Sequence, residues 1–482
     1  MNLPNVLLKW NQTVVKHRFW HSSGLTCGFM SLAYYLLPNT FWGLPSLAIL
    51  FTRFSRPEAA EWSYHTLLVC GSSLLAALLV LVFSKRWRVA GKPSSAIVLF
   101  AATAFYLLLC FGNIVFCSSN RALVESSSIF NAFTVGILVP MLFYKDAKTT
   151  VMLVCLVGSL QAGYAIYYDI TGVNTLRSGE ILRAGGTFSQ PMSLYVLMLT
   201  VLPIAVSQVI RCCNNFQPNS SQALKHRIAI FAWSICILLT FIALVLTWYR
   251  GAILAICVGL TWLVFRRVHS RRLAQVIAVS LALVTLFTFV HRSDGPVNAK
   301  VSNQAIVGRF ELWGKAWDAF REKPFNGTGI TFLTMVVSRQ SNNYGTMRLE
   351  YHDEPNNVFL LWVAEMGISG FAFIIIIVLT ITFIVRKALL EPVTKYTGSG
   401  IGAVWLTYLV AGISDTPFGT AYRYSGNVLF GVMIGATLLL AFEVSSLHYN
   451  LYAKVKHQSE MVVGVVDLRR EFRPADMLDS SF

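Results

Sequence analysis

The 482-residue chain is 55% hydrophobic, with only 13% charged residues and a mean hydropathy of +0.59. That excludes a soluble domain of this size, and unbroken apolar runs of about 20 residues exclude an outer-membrane barrel, leaving an all-α polytopic membrane protein. The formal net charge of +17 lies in short basic clusters between apolar runs, the pattern of cytoplasmic loops and not of a nucleic-acid surface.

Residues 1–21 carry Lys9, Lys16 and Arg18 and read as a cytoplasmic N-terminus. The apolar stretch 22–53, broken at Pro38-Asn39, is long for one span and short for two; it lacks a clear cleavage site and reads as an anchor. Clearer spans follow at about 64–84, 95–117, 127–144, 149–168, 192–210, 227–247, 250–265, 273–291, 356–385, 400–414 and 426–444. If they alternate, the clusters Lys85/Arg86/Arg88/Lys92, Lys145/Lys148, Arg211/Lys225/Arg227, Arg266/Arg267/Arg271/Arg272 and Arg386/Lys387 share one side with the C-terminal basic residues. The count is about 12 crossings with both termini cytoplasmic, or 13 as the alternative. The chain then divides into helices over 22–291, a long periplasmic loop at 292–355, helices over 356–446 and a charged cytoplasmic tail at 447–482. Cys70, Cys110, Cys155, Cys236 and Cys257 lie inside apolar runs and read as small fillers, and Cys212-Cys213 falls on the cytoplasmic side, where disulfides are disfavoured.

The opposite side should be poor in Lys and Arg, yet it receives Arg183, Arg250, Arg309 and Arg423. One arginine at a membrane end is explained by snorkelling to head groups; four on one face form an anion site. Arg250-Gly251 stands at a tight turn between two spans, in LTWYRGAIL, where a planar and permanently charged fork suits a diphosphate. Arg183 precedes Gly185-Gly186 in a bent loop, and Pro191 opens the next helix. Within 292–355, Ile306, Phe310, Trp313, Trp317 and Phe320 recur at helical spacing, with Arg309 at the edge of their stripe and Pro324 ending it. This predicts an amphipathic helix at the membrane surface or packed on the protein, followed by a flexible turn at 326–329. His352 is the one histidine of nine in an external polar cluster just ahead of a membrane helix, with Pro355 at that helix's first turn. Imidazole is a common base toward a hydroxyl, and Asp353 or Glu354 could orient it. No second histidine or cysteine stands at metal-ligand spacing.

The segments RAGGTFSQPMS, LTWYRGAIL, VGRFELWGKAWDAFREKPFNGTGITF, HDEPNNVFLLWVAEMGISG and GISDTPF, in that order over roughly residues 180–420, resemble the O-antigen ligase and polymerase superfamily of bacterial inner-membrane glycosyltransferases. The resemblance implies a cofactor-free, metal-independent, inverting glycosyltransferase acting at the periplasmic face of the inner membrane. Its donor would be an undecaprenyl-diphosphate-linked glycan and its acceptor a sugar hydroxyl of lipid A–core (ligase), of a growing polymer (polymerase), or a protein. Arg250 and Arg309, with Arg183, would hold the diphosphate, and His352 would act as base or position the acceptor. Asp353, Glu354, Asn356, Asp415 and Arg423 would support them. Many members place a histidine at the helix start where this chain reads Pro355-Asn356-Asn357, so the family histidine falls at either His352 or Asn356. A transporter of lipid-linked oligosaccharides, the reading from another class, calls for charges deep in spans and related halves; these spans are mostly clean.

Overall fold

The computed structural model describes residues 57–90, 94–116, 120–144, 146–172, 175–178, 181–186, 188, 191–217, 222–268, 296–330, 355–419 and 425–447. The N-terminal 56 residues, the span expected at 273–291 and the tail beyond 447 lie outside them. Twelve helices and one small hairpin are described: α1 (Pro57–Ala90), α2 (Ser94–Phe116), α3 (Asn120–Phe143), α4 (Ala147–Thr171), β1 (Thr175–Ser178), β2 (Ile181–Ala184), α5 (Pro191–Asn214), α6 (Ala223–Leu246), α7 (Arg250–Arg267), α8 (Pro296–Glu322), α9 (Val358–Met366), α10 (Ile368–Leu390), α11 (Lys395–Ser414) and α12 (Ser425–Leu447). Eight of them (α2 to α6 and α10 to α12) are long and apolar enough to cross a membrane.

Local signals set the helix ends. Asp146 caps α4, its side chain accepting from the Thr149 amide at 2.6 Å, and Gly172 ends that helix in the left-handed region at φ 70°. Pro191 opens α5, as its position in the sequence predicts. The inner helices α5 and α12 are almost wholly enclosed, while α2 and α6 turn most of their apolar surface outward. Surface of that kind is stable only against lipid.

The glycine-rich helix α11 is the hub, packing on α4, α5, α7, α9 and α10. Lipid gives helices no hydrophobic reason to associate, so close backbone approach carries the packing. A Cβ at Gly402 would lie 2.7 Å from Val385 of α10, and one at Gly400 would lie 3.3 Å from the Ile204 Cα of α5. Gly136 of α3 and Gly431 of α12 meet in the same way.

Two features differ from expectation. The apolar run 356–385 is not one span: Asn357 caps a nine-residue helix, α9, and Gly367 (φ 63°, ψ −142°) breaks the chain before α10 begins. The polar segment after α4 is not all loop, because β1 and β2 pair antiparallel there and β2 rests on α4, α5 and α6.

Candidate functional site

The first candidate residue sits in a strained corner. Between α6 and α7 the chain turns in three residues, and Trp248 takes φ 56° there. Bulky residues rarely occupy that region, and they persist in it only where surrounding structure holds them. Tyr249 is the extended N-cap, and half-buried Arg250 is the first residue of α7. Gly251 seats this corner against the end of α11: a Cβ would meet the Ser414 Oγ at 2.5 Å. One residue on, Asp415 is buried and extended. Its Oδ2 accepts from the Tyr195 hydroxyl at 3.1 Å and its Oδ1 from the Thr416 amide at 2.8 Å. The Tyr195 ring lies 4.6 Å from that of Tyr249. Tyr249, Tyr195 and Asp415 thereby tie the starts of α7 and α5 to the end of α11. A buried carboxylate is tolerated because it is hydrogen-bonded.

The start of α9 is the second element. The Asn357 Oδ1 accepts from the Phe359 amide at 3.0 Å and the Leu360 amide at 3.1 Å, so this side chain is occupied in capping. Asn356, half-buried, takes φ 47°. Pro355 is buried and stands two residues before the cap, not in the helix's first turn as the sequence suggested. Val358 and Phe359 press on Gly412 of α11, and Gly419 (φ 91°) fits beside Trp362. The Gly419 amide donates to the buried Asn427 Oδ1 at 2.6 Å. The Pro355-Asn356-Asn357 corner and the segment carrying Asp415 are therefore packed together.

The third element is α8. It docks through Leu312, Ala316 and Ala319 against Leu360, Leu361 and Ala364 of α9. The expected aromatic stripe is not the buried face: Phe310 is 62% and Trp317 38% exposed, and Phe320 meets Phe371 edge-on. Alanines let two helix axes approach closely, and the aromatics form a ridge beside the contact. An outward ridge with exposed Arg309 and with Arg321 over Trp317 at 5.8 Å suits a head-group surface.

The turn after α8 is locked, not flexible. The Thr328 amide donates to the Ala364 carbonyl and the Gly329 amide to that of Glu365, each at 2.9 Å, while the Ile368 amide returns to Pro324 at 2.7 Å. Across this clasp Gly327 (φ 66°) faces the backbone of Glu365 and Gly367, and Gly367 faces that of Pro324 and Phe325, so neither could carry a side chain.

Arg183 lies in β2, opposite Leu176, and not at the bend, which falls at Gly185 and Gly186 (φ 61°). Gly186 tucks under Gln161 of α4. His352, Asp353, Glu354 and Arg423 lie outside the described residues. The fold joins the corners of Arg250, Asp415 and Asn356 and brings α8, with Arg309, onto the same helix α9. Among the described residues no three of His, Cys, Asp and Glu gather as a metal site. Sequence reasoning missed Tyr195 and Ser414. A tyrosine inside an apolar helix is the one signal that was available, since a buried hydroxyl needs a partner.

Apolar helices of spanning length around a polar corner that carries arginine define a multi-pass helical membrane protein. Residues 235–375 match the family model described as O-antigen ligase. Over those residues the chain is similar to the O-antigen ligase family, which supports the superfamily that its motifs resemble. The match runs from α6 into α10 and takes in Arg250, Arg309, His352 and Asn356; Arg183, Asp415 and Arg423 stand outside it. No curated protein matches the chain.

Proposed function

We propose that this protein is a glycosyltransferase that moves a glycan from undecaprenyl diphosphate to a sugar hydroxyl of lipid A–core at the periplasmic face of the inner membrane. The observation that supports it most is the strained, braced Arg250 corner inside the O-antigen ligase match. Arg250 and Arg309, with Arg183, neutralise the donor diphosphate; guanidinium forks offer paired charge-assisted hydrogen bonds to its oxygens. The acceptor oxygen attacks C1 of the first sugar from the face opposite the diphosphate, and the C1–O bond to phosphate breaks with inversion. Undecaprenyl diphosphate leaves with the electron pair, its charge spread over the arginines. The acceptor proton passes to His352. Asp415, held by Tyr195, supports the Arg250 corner, and Asn356 lies on the acceptor side.

Complementation of a deletion strain, read on a gel of surface polysaccharide, tests this. Arg250→Ala should abolish the transferred species while protein remains in the membrane. Undiminished transfer would remove the centre of the proposal. Full activity in His352→Ala would overturn the assignment of the base and turn attention to Asn356. In the deletion strain itself, loss of every capped species marks a ligase, whereas capping by one repeat marks a polymerase.

A further inference from the structure

A groove of about 290 Å³ runs between α7, α10 and α11, with Ile377, Ile381, Val385 and Leu409 among its apolar walls. On α10 it extends from Ile374 to Leu389, about 22 Å of helix at 1.5 Å per residue. That is most of the depth of a hydrocarbon core of about 30 Å. Beside its Leu389 end lies a second cavity of about 400 Å³, lined by Arg266, Arg267, Arg386, Leu389 and Leu390. Arg266, Arg386 and Leu389 line both spaces. This cavity is not the proposed diphosphate site, because Arg266 lies sixteen residues along α7 from Arg250, about 24 Å away at the other end of that helix.

The basic residues there are not equivalent. Arg267 donates to the Ser399 hydroxyl and to the Lys395 carbonyl at 2.8 Å, and it lies over the Tyr396 ring. Lys395 lies over the same ring at 4.9 Å, and Lys387 over Phe383 at 4.5 Å. These three are engaged with the protein. Arg266 and Arg386 instead bring exposed guanidiniums from two helices to one apolar-walled cleft. Two guanidinium forks on one cleft can together offer a phosphate paired charge-assisted hydrogen bonds.

We infer that this cleft and groove bind one anionic phospholipid from the leaflet opposite the Arg250 corner. Its phosphate sits between Arg266 and Arg386, and an acyl chain lies along Leu389, Val385 and Ile381. A free anion would use the arginines and leave the groove unfilled; a neutral lipid would use the groove and leave the arginines unmatched. The lipid fastens α7 to α10, the two helices that flank the hub α11.

Thermal unfolding and native mass spectrometry of the detergent-purified protein test this, with dioleoyl phosphatidylglycerol, dioleoyl phosphatidylethanolamine and inorganic phosphate as probes. Phosphatidylglycerol should raise Tm and remain bound, whereas the other two should not. Arg266→Gln and Arg386→Gln should each weaken its retention about tenfold, the loss of one charge-assisted contact, and Lys387→Gln should leave it unchanged. Both arginines are exposed, so the variants should match the native Tm without lipid. Equal stabilisation by phosphatidylethanolamine, the same shift from phosphate alone, or full retention in the double variant would overturn the site. So would displacement of phosphatidylglycerol by undecaprenyl phosphate in the Arg266→Gln/Arg386→Gln protein as readily as in the native one, which would give the groove to the donor's tail.

Discussion

Gly367→Ala should unclasp α8 from the bundle. An alanine there would have to hold φ 63°, ψ −142°, a region that glycine alone occupies readily, at about 1–3 kcal/mol. Its Cβ would also lie 2.5 Å from the Pro324 carbonyl oxygen and 2.7 Å from the Phe325 carbonyl carbon, both backbone atoms. Relief requires the turn to withdraw, which strains or breaks the three backbone hydrogen bonds of Thr328, Gly329 and Ile368. At about 1 kcal/mol each, these and the backbone cost together come to roughly 4–6 kcal/mol, a large part of the net stability of a typical domain. Gly163→Ala is the control, because its Cβ would meet nothing within 4 Å in mid-α4 and alanine favours helix by about 1 kcal/mol. Thermal unfolding of the two purified variants should therefore move in opposite directions. In cells Gly367→Ala should also lower glycan transfer, because α8 and Arg309 lose their seat on α9. If Gly367→Ala unfolds with the native protein, the clasp does not hold α8 and the reasoning is wrong.

Gly251→Ala should displace Arg250, since the new methyl group meets the Ser414 Oγ at 2.5 Å. Transfer should fall about tenfold and recover in Gly251→Ala/Ser414→Ala, which removes the obstructing oxygen; a double variant no better than the single one would refute the contact. Asn357→Ala should lower stability by about 1 kcal/mol through loss of the α9 cap, and Asn357→Asp should retain most of it. Denaturant titration of the three proteins decides, and an Asp variant as weak as the Ala variant would count against capping.

Properties that follow from local composition were legible. Apolar runs marked the eight helices of spanning length among the described residues, Pro191 marked the start of α5, and Arg250 fell at the turn between two helices because a charge there is tolerated only near the interface. The break at Gly367 was not legible, since EMGISG sits in a run of unbroken hydropathy and its cause, the backbone of residues 324–329, lies some forty residues earlier. The face by which α8 packs on α9 was not legible for a related reason. Hydrophobicity ranks Phe310 and Trp317 above Ala316 and Ala319, but helix contact selects for closeness, and the alanines won. The Tyr195–Asp415 bond joins residues 220 apart and leaves no local trace.

Strain connects the two corners more closely than proximity alone. Among the described residues only Trp248 and Asn356 are non-glycine residues with positive φ, and each lies within two residues of a candidate group or cap. Such conformations persist where surrounding contacts hold them. The holding contacts are visible: Tyr249 lies against Tyr195, and Tyr195 donates to buried Asp415. At the other corner Asn357 caps α9, whose first residues press on Gly412. Each corner is thus held by the protein's own contacts, and both are fixed to the ends of one helix pair, α9 and α11. A site for a transferring diphosphate benefits from that arrangement, because donors already oriented need no reorganisation as charge develops on the leaving group. The exposed ridge of α8, fastened by backbone bonds and not by its aromatics, can then rest on head groups without disturbing the corners it serves.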